Sequence, residues 1–149
     1  MDPFTLLKAD HEKVAGILEE IDSTTERALK TREDLFSQLK NELDVHARIE
    51  EEVFYPALEE ADETREITLE AYEEHRLVKR LLEELEAEPK DAEEWSAKFM
   101  VLKENIEHHV KEEEGEMFEQ AKAVQDEAQE LGERMREAKQ QERAAAAGE

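Results

Sequence analysis

The chain carries the same helical pattern twice, and this internal duplication is the feature that most restricts its fold. The residues around His11 recur around His75, and the segment 36–50 recurs as the segment 99–113. Each copy places leucines and other apolar residues at the three- and four-residue spacings of amphipathic helices. A duplicated helix pair predicts two αα-hairpins that pack into a four-helix bundle with approximate twofold symmetry.

Local signals mark the ends of the predicted helices. Asp2 followed by Pro3 is typical of a helix start, and the apolar spacing extends this first helix to about Leu29. Pro56 should kink or end the second helix, because proline lacks the backbone N–H that an inner turn needs. The Glu88–Pro89 step separates the third helix from the fourth.

The composition favours long helices and excludes several kinds of site. Charged residues make up 42% of the 149 residues and aromatic residues only 5%, with four glycines and no cysteine. The lack of cysteine excludes disulfide frameworks, thiolate zinc sites and iron–sulfur clusters.

From the duplicated helical pattern and the composition we predict an all-α protein. Its bundle should comprise residues 1–123, with a C-terminal helix that packs on or extends from the bundle at 124–143 and a disordered tail at 144–149.

The charge of the chain restricts its partners. Asp and Glu total 43 against 20 Lys and Arg, a formal net charge of -23. Such a surface repels nucleic acid phosphates and anionic membranes, so neither is an expected partner. No apolar run approaches the roughly 20 residues that span a bilayer, and the N-terminus does not resemble a signal peptide. We expect a cytoplasmic protein, and the sequence identifies no protein partner.

Six residues on the predicted helices have the chemistry of metal ligands. His46 and Glu50 are four residues apart, so they lie on the same helix face, and His109 and Glu113 repeat this spacing. One further histidine comes from each of the other two helices. The candidate ligands are His11, His46, Glu50, His75, His109 and Glu113.

Burying these six groups together without a metal would be costly, because each carboxylate is an expensive charge to remove from water. Two carboxylates can bridge two metal ions, each of which would also be held by two imidazoles. Imidazole and carboxylate without thiolate suit iron, manganese or zinc.

Ordinary packing is the alternative for each residue taken singly. A lone histidine on an apolar face is more often a core residue, and one His-to-Glu spacing arises easily in so Glu-rich a chain. The duplication of the whole set favours a metal site. We expect His108 to lie at the surface or behind the ligands, and Tyr55 and Tyr72 to pack in the core although both could reach a metal.

The ordered series of these six residues resembles the hemerythrin-like HHE cation-binding family. The stretches 46–56 and 108–118 are typical of that family, and the similarity covers residues 3–120. The resemblance implies an up-and-down four-helix bundle around a non-haem di-iron centre with an oxo or hydroxo bridge. It implies that the six residues are the ligands and that Glu50 and Glu113 bridge the two iron ions.

One feature of the oxygen-carrying hemerythrins is absent. They have a second histidine one turn away on the third helix. In this chain the positions four residues before and four residues after His75 are Ala71 and Lys79. One iron would therefore have fewer imidazole ligands, which favours reactivity over simple oxygen transport.

The resemblance and the open coordination together predict a protein that binds or reacts with dioxygen, nitric oxide or peroxide. Alternatives are a redox enzyme that disposes of peroxide, a protein that stores or donates iron, and a helical interaction module whose histidines only pack. The sequence does not decide whether the chain is an enzyme. Its short length argues against a large organic substrate.

Overall fold

The structure, a computed structural model, describes residues 2–124 and 128–147, and within these ranges it is helical without strands. The helices are α1 (Pro3–Asp22), α2 (Leu29–Ile49), α3 (Tyr55–Glu59), α4 (Asp62–Ala87), α5 (Glu93–Glu112), α6 (Phe118–Val124) and α7 (Ala128–Ala147). Two π-helical turns, Glu50–Phe54 and Glu113–Met117, join α2 to α3 and α5 to α6. The predicted all-α fold is confirmed.

The two hairpins form the bundle. Helix α1 packs along α2, α4 packs along α5, and α1 also contacts α5, while α3 folds back onto α4. None of the helices in the described ranges has an apolar stretch long enough to cross a membrane.

Two separate apolar clusters fill the bundle, one at each end. The α7-end cluster includes Phe4, Leu7, Ile49, Phe54, Tyr55, Phe118 and Met135. The loop-end cluster includes Val14, Leu18, Phe36, Leu39, Leu82, Trp95, Phe99 and Leu102. On α1, α2, α4 and α5 the predicted histidine ligand lies where the helix passes from one cluster to the other, as His11 does between Leu7 and Val14. The polar site therefore lies across the middle of an otherwise apolar interior.

The first helix is shorter than predicted. It ends at Asp22 and not near Leu29. The hydroxyl groups of Ser23 and Thr24 donate hydrogen bonds to carbonyl groups of its last turn. Serine and threonine often compete with the helix in this way, and here they end it.

The helical path that begins with α2 does not stop at Pro56. It passes through the π-helical turn Glu50–Phe54 into α3, which ends at Glu59. Pro56 lies in the first turn of α3, where a missing N–H is tolerated.

Helix α7 covers the bundle from the side of α1 and α2. It contacts both helices and the first π-helical turn, and it buries Leu131 and Met135. It continues to Ala147, so the expected tail from residue 144 is helical over 144–147. Alanine is the strongest helix former, which favours this extension. Residues 125–127 and 148–149 lie outside the described residues, and the division of the chain at residue 124 stays a prediction.

Candidate metal centre

The structure brings the six predicted side chains together as two overlapping clusters. The first contains His11, His46, Glu50 and Glu113, and the second contains Glu50, His75, His109 and Glu113. In each cluster the potential ligand atoms lie within 4.8 Å of one another. Because Glu50 and Glu113 belong to both clusters, each of these carboxylates lies between the two pairs of imidazoles.

Every one of the four imidazoles turns its Nε2 atom toward a shared carboxylate. The distances are 3.2 Å from His11 to Glu113, 3.0 Å from His46 to Glu50, 3.2 Å from His75 to Glu50 and 3.1 Å from His109 to Glu113. Glu50 is fully buried and Glu113 is 1% exposed. The inner face of the site is therefore a ring of nitrogen and oxygen atoms shielded from solvent.

The Nδ1 atom of each imidazole faces outward to a second carboxylate. The pairs are His11 with Glu114 at 2.6 Å, His46 with Asp10 at 3.0 Å, His75 with Glu51 at 3.3 Å and His109 with Glu74 at 3.1 Å. When the imidazole is neutral, as metal binding requires, an outer carboxylate makes Nδ1 the donor and leaves the Nε2 lone pair directed inward. This is the arrangement in which metal-binding histidines are commonly held.

These four outer carboxylates were not predicted from the sequence. Asp10 and Glu74 each precede a candidate histidine but pair with the histidine of the next helix in the bundle. Glu51 and Glu114 each follow a shared glutamate and pair with a histidine of the other half of the chain. The signal that could have revealed them is their repetition, since an acidic residue occupies the same place in both copies.

One of the outer carboxylates connects the site to α7. Asp10 is only 4% exposed, and Lys139 of α7 forms an ion pair with its other oxygen. Burial raises the pKa of Asp10, but His46 and Lys139 outweigh this effect and lower it below its usual value. Asp10 therefore stays ionised and holds His46 in place.

The inner atoms lack the partners that buried polar groups normally have. Among the described residues, Nε2 of His11 and His46, both carboxylate oxygens of Glu50 and Oε1 of Glu113 have no hydrogen bond. An unsatisfied buried polar atom costs about 1–3 kcal/mol, and native proteins contain few of them. Metal cations would satisfy all five atoms at once, so the residues present fit the metal that the sequence predicts.

In the absence of metal, electrostatic attraction between the buried carboxylates and the imidazoles stabilises the site. Burial raises the pKa of Glu113, but the imidazoles of His109 and His11 outweigh it and hold this pKa well below the usual range. Glu113 is thus a carboxylate at neutral pH, as a bridging ligand has to be.

Tyr55 also reaches the site, although packing alone was the preferred expectation for it. Its hydroxyl donates to Glu113 at 2.7 Å and lies 3.1 Å from Nε2 of His75. The π-helical turn explains this position, because it places residues five apart on one face and so aligns Tyr55 with Glu50. In the second copy the same position is Phe118, which stacks on His11. The phenol therefore makes the two halves of the site different.

His108 lies outside the site. Its side chain is 65% exposed and faces Glu112 at 3.4 Å, which agrees with the surface position expected for it. The residues one helical turn before and after His75 differ. Ala71 is buried, whereas Lys79 is exposed and lines a cavity next to the ligands.

Comparison with known proteins agrees with this geometry. The sequence profile of the hemerythrin HHE cation-binding domain matches residues 2–121. The crystal structure of a hemerythrin HHE cation-binding domain-containing protein from Mycobacterium kansasii matches with a TM-score of 0.86 and 31% sequence identity. The match covers 99% of this chain and 90% of that one.

Two curated relatives differ in how much of their length is shared. An uncharacterized protein of Mycobacterium tuberculosis is 30% identical over 138 residues, which is 91% of this chain and 83% of that protein. A DNA nickase of Nostoc sp. is 31% identical over 117 residues, which is 76% of this chain. This chain covers 31% of the length of the nickase, so the similarity concerns one part of that protein. By its sequence, its bundle and its cluster of histidines and glutamates, the chain belongs to the metal-binding hemerythrin HHE cation-binding family.

Proposed function

We propose that the chain binds two iron ions, one at His11 and His46 and the other at His75 and His109. Glu50 and Glu113 would bridge the two ions. The observation that carries this proposal is that two four-residue clusters share these two carboxylates. Iron is favoured over manganese and zinc by the family, since the ligand set alone suits all three.

We further propose that the centre binds or reacts with a small ligand, namely dioxygen, nitric oxide or peroxide. When bound, iron would supply a redox-active centre with positions open to such a ligand. The chain's own residues hold the imidazoles through the outer carboxylates, and an apolar cluster lies on either side of the site. The nickase activity is not extended to this chain, because the shared part is a minority of that relative and a net charge of -23 repels nucleic acid.

Peroxide disposal is the second candidate, and the position of Tyr55 favours it. Burial, reinforced by the nearby carboxylates of Glu113 and Glu50, raises the pKa of Tyr55 well above 10. Its Oη atom therefore keeps its proton at neutral pH and holds it 2.7 Å from Glu113, beside the second cluster, where a hydroxyl donor would suit peroxide chemistry if iron were bound. Phe118 offers no such proton at the first cluster.

Metal analysis joined to visible absorption tests the main proposal. We expect about two iron ions per chain and absorption bands that change when dioxygen, nitric oxide or peroxide is added. His46→Ala and His109→Ala should each lose metal, and with it thermal stability, because metal binding and folding are linked. Protein purified from iron-rich medium with no bound metal would contradict the proposal. Iron that a mild chelator removes within minutes would favour storage or donation instead.

A tyrosine pair separates peroxide disposal from ligand binding. Tyr55→Phe should keep the iron content but lower the rate of oxygen release from peroxide at least tenfold. Tyr72→Phe is the matched control, because Tyr72 packs against the ring of Tyr55 without contacting the site. No peroxide turnover by the unmodified, iron-loaded protein would exclude this candidate.

A further inference from the structure

A cavity much larger than a diatomic ligand needs lies beside the metal centre. It encloses about 420 Å³ and is bounded by α1, α2, α4 and α5. The predicted ligands His11, His46, Glu50, His75 and His109 line one part of it. Sites for organic ligands typically enclose about 300–1,000 Å³. The short chain argued against a large organic substrate, and this volume is sufficient for a small one.

Beyond the ligands the cavity has an apolar wall. Its residues are Val14, Leu43, Val78, Leu82, Ile106 and Val110. They belong to, or pack against, the loop-end cluster. Such a wall extends beyond what a diatomic ligand contacts, and it matches a hydrocarbon chain or ring, whose transfer from water is favourable by about 25 cal/mol per Å² buried.

Basic and acidic side chains are nearly balanced at the rim of the cavity, unlike in the strongly acidic chain as a whole. Four basic side chains line the rim, namely Lys40, Arg48, Arg76 and Lys79, together with the carboxylates of Asp44, Glu51 and Glu83. Ion pairs engage three of the four cations: Lys40 with Asp44 and Glu86, Arg48 with Glu142, and Arg76 with Glu73.

Lys79 differs from the other three cations, since no ion pair within 4.0 Å joins it to a residue in the described parts of the chain, although Glu51 is near enough for the two charges to interact. It follows Val78 directly and lies one helical turn beyond His75. An ammonium group without a close ion pair thus adjoins the apolar wall. A ligand with one negative charge on Lys79 meets less repulsion from the three carboxylates of the rim than a ligand with two.

We propose that this cavity binds an amphipathic organic monocarboxylate, with its apolar part against Val78 and Leu82 and its carboxylate on Lys79. This inference goes beyond the proposed reaction with small ligands, and it does not depend on which metal the centre holds. It assigns Lys79 the role of a ligand-binding residue.

Calorimetric titration of the protein as purified, with its metal, tests the proposal. The probes are octanoate, octanol and butyrate, which vary the charge and the apolar length separately. We expect octanoate to bind at least tenfold more tightly than either of the others. If octanol bound as tightly as octanoate, the carboxylate would not contribute to binding and the proposal would fail. If butyrate bound as tightly as octanoate, the apolar wall would not contribute and the proposal would also fail.

Variants locate the two contacts. Lys79→Gln should weaken octanoate about tenfold, the effect of losing one charged hydrogen bond, and should leave octanol within about twofold. Lys30→Gln is the matched control, because it changes the net charge equally. The Lys30 side chain is 89% exposed and does not line the cavity. Val78→Trp should fill the cavity and weaken octanoate and octanol together, with circular dichroism and thermal melting confirming that the fold is kept. Equal effects of Lys79→Gln and Lys30→Gln would overturn the proposal.

Metal content and visible absorption recorded on the same samples separate this inference from the proposed function. Octanoate binding by samples without metal would leave the cavity site standing while the metal centre fails. Octanoate that alters the metal absorption but is unaffected by Lys79→Gln would place its carboxylate on the metal and would overturn the role given to Lys79.

Discussion

Nδ1 of His11 lies 2.6 Å from a carboxylate oxygen of Glu114, a residue at the other end of the bundle sequence. The equivalent pair in the other direction is His75 with Glu51, so each half of the chain supplies an outer carboxylate to a histidine of the other half. The two copies are therefore interlocked at the site. Neither hairpin alone could hold its own pair of imidazoles in the inward orientation.

The shared carboxylates should be required by both metal ions. We expect Glu113→Ala to remove both, because Glu113 belongs to both clusters, and to lower metal content from about two ions per chain to nearly none. Glu104→Ala is the control, since Glu104 is an exposed residue of α5 that belongs to neither cluster. The measurement is elemental analysis after dialysis. Retention of one ion by Glu113→Ala would show that this carboxylate does not bridge.

The outer carboxylates should control affinity without contacting the metal. We expect Glu74→Gln to weaken metal binding about 10–100-fold, because it removes the anion that fixes His109 with Nε2 directed inward. Glu73→Gln tests the adjacent position, where the carboxylate pairs with Arg76 on the surface. Competition with a chelator of known affinity measures the change. Equal affinities in the two variants would contradict an orienting role for Glu74.

The metal-free and metal-loaded proteins should respond to pH in opposite directions. Burial lowers the pKa of His46, but the carboxylates of Glu50 and Asp10 outweigh it and raise this pKa to about 10. The same competition, between burial and carboxylates, raises the pKa of His75 to about 9 and that of His109 to about 11. In the unfolded chain a histidine titrates near 6.5.

A histidine with a raised folded pKa stabilises the fold fully below pH 6.5, and this stability is lost as the pH rises through the folded value. The metal-free protein should therefore become less stable from about pH 6.5 to about pH 9–11. Metal binding needs neutral imidazoles, so the loaded protein should lose metal as the pH falls. Urea unfolding at several pH values checks both trends. A metal-free protein that gains stability between about pH 7 and pH 9 would contradict the charged site.

Arg32 should stabilise the bundle without affecting the metal. It is buried, donates to the carbonyl oxygen of Lys90 at 2.8 Å and lies over the ring of Trp95, so it connects the two hairpins at their loop end. We expect Arg32→Met to reduce the free energy of unfolding by about 2–3 kcal/mol, the usual loss for charged hydrogen bonds to buried groups. Arg27→Met is the control, because Arg27 is exposed in the neighbouring loop.

Chemical denaturation measures this change, and metal content should be the same in both variants. Loss of metal in Arg32→Met would show that the loop end and the metal centre are coupled.

The sequence by itself determined the helices, their pairing and the inner ring of six candidate ligands. This was possible because helical periodicity is local, and a duplicated pattern shows which faces are buried together. The limits of α1 and α7 were less well predicted, since the end of a helix depends on weak local competition, such as that of Ser23 and Thr24 with the backbone.

Only the tertiary structure decided which carboxylate serves which histidine. Asp10 is adjacent to His11 in the sequence, yet it pairs with His46, because the partner is set by the packing of neighbouring helices. The position of Tyr55 likewise depends on a π-helical turn that α-helical spacing does not predict. The cavity at Lys79 is bounded by residues of four helices, and such a space between elements has no signature in the local sequence.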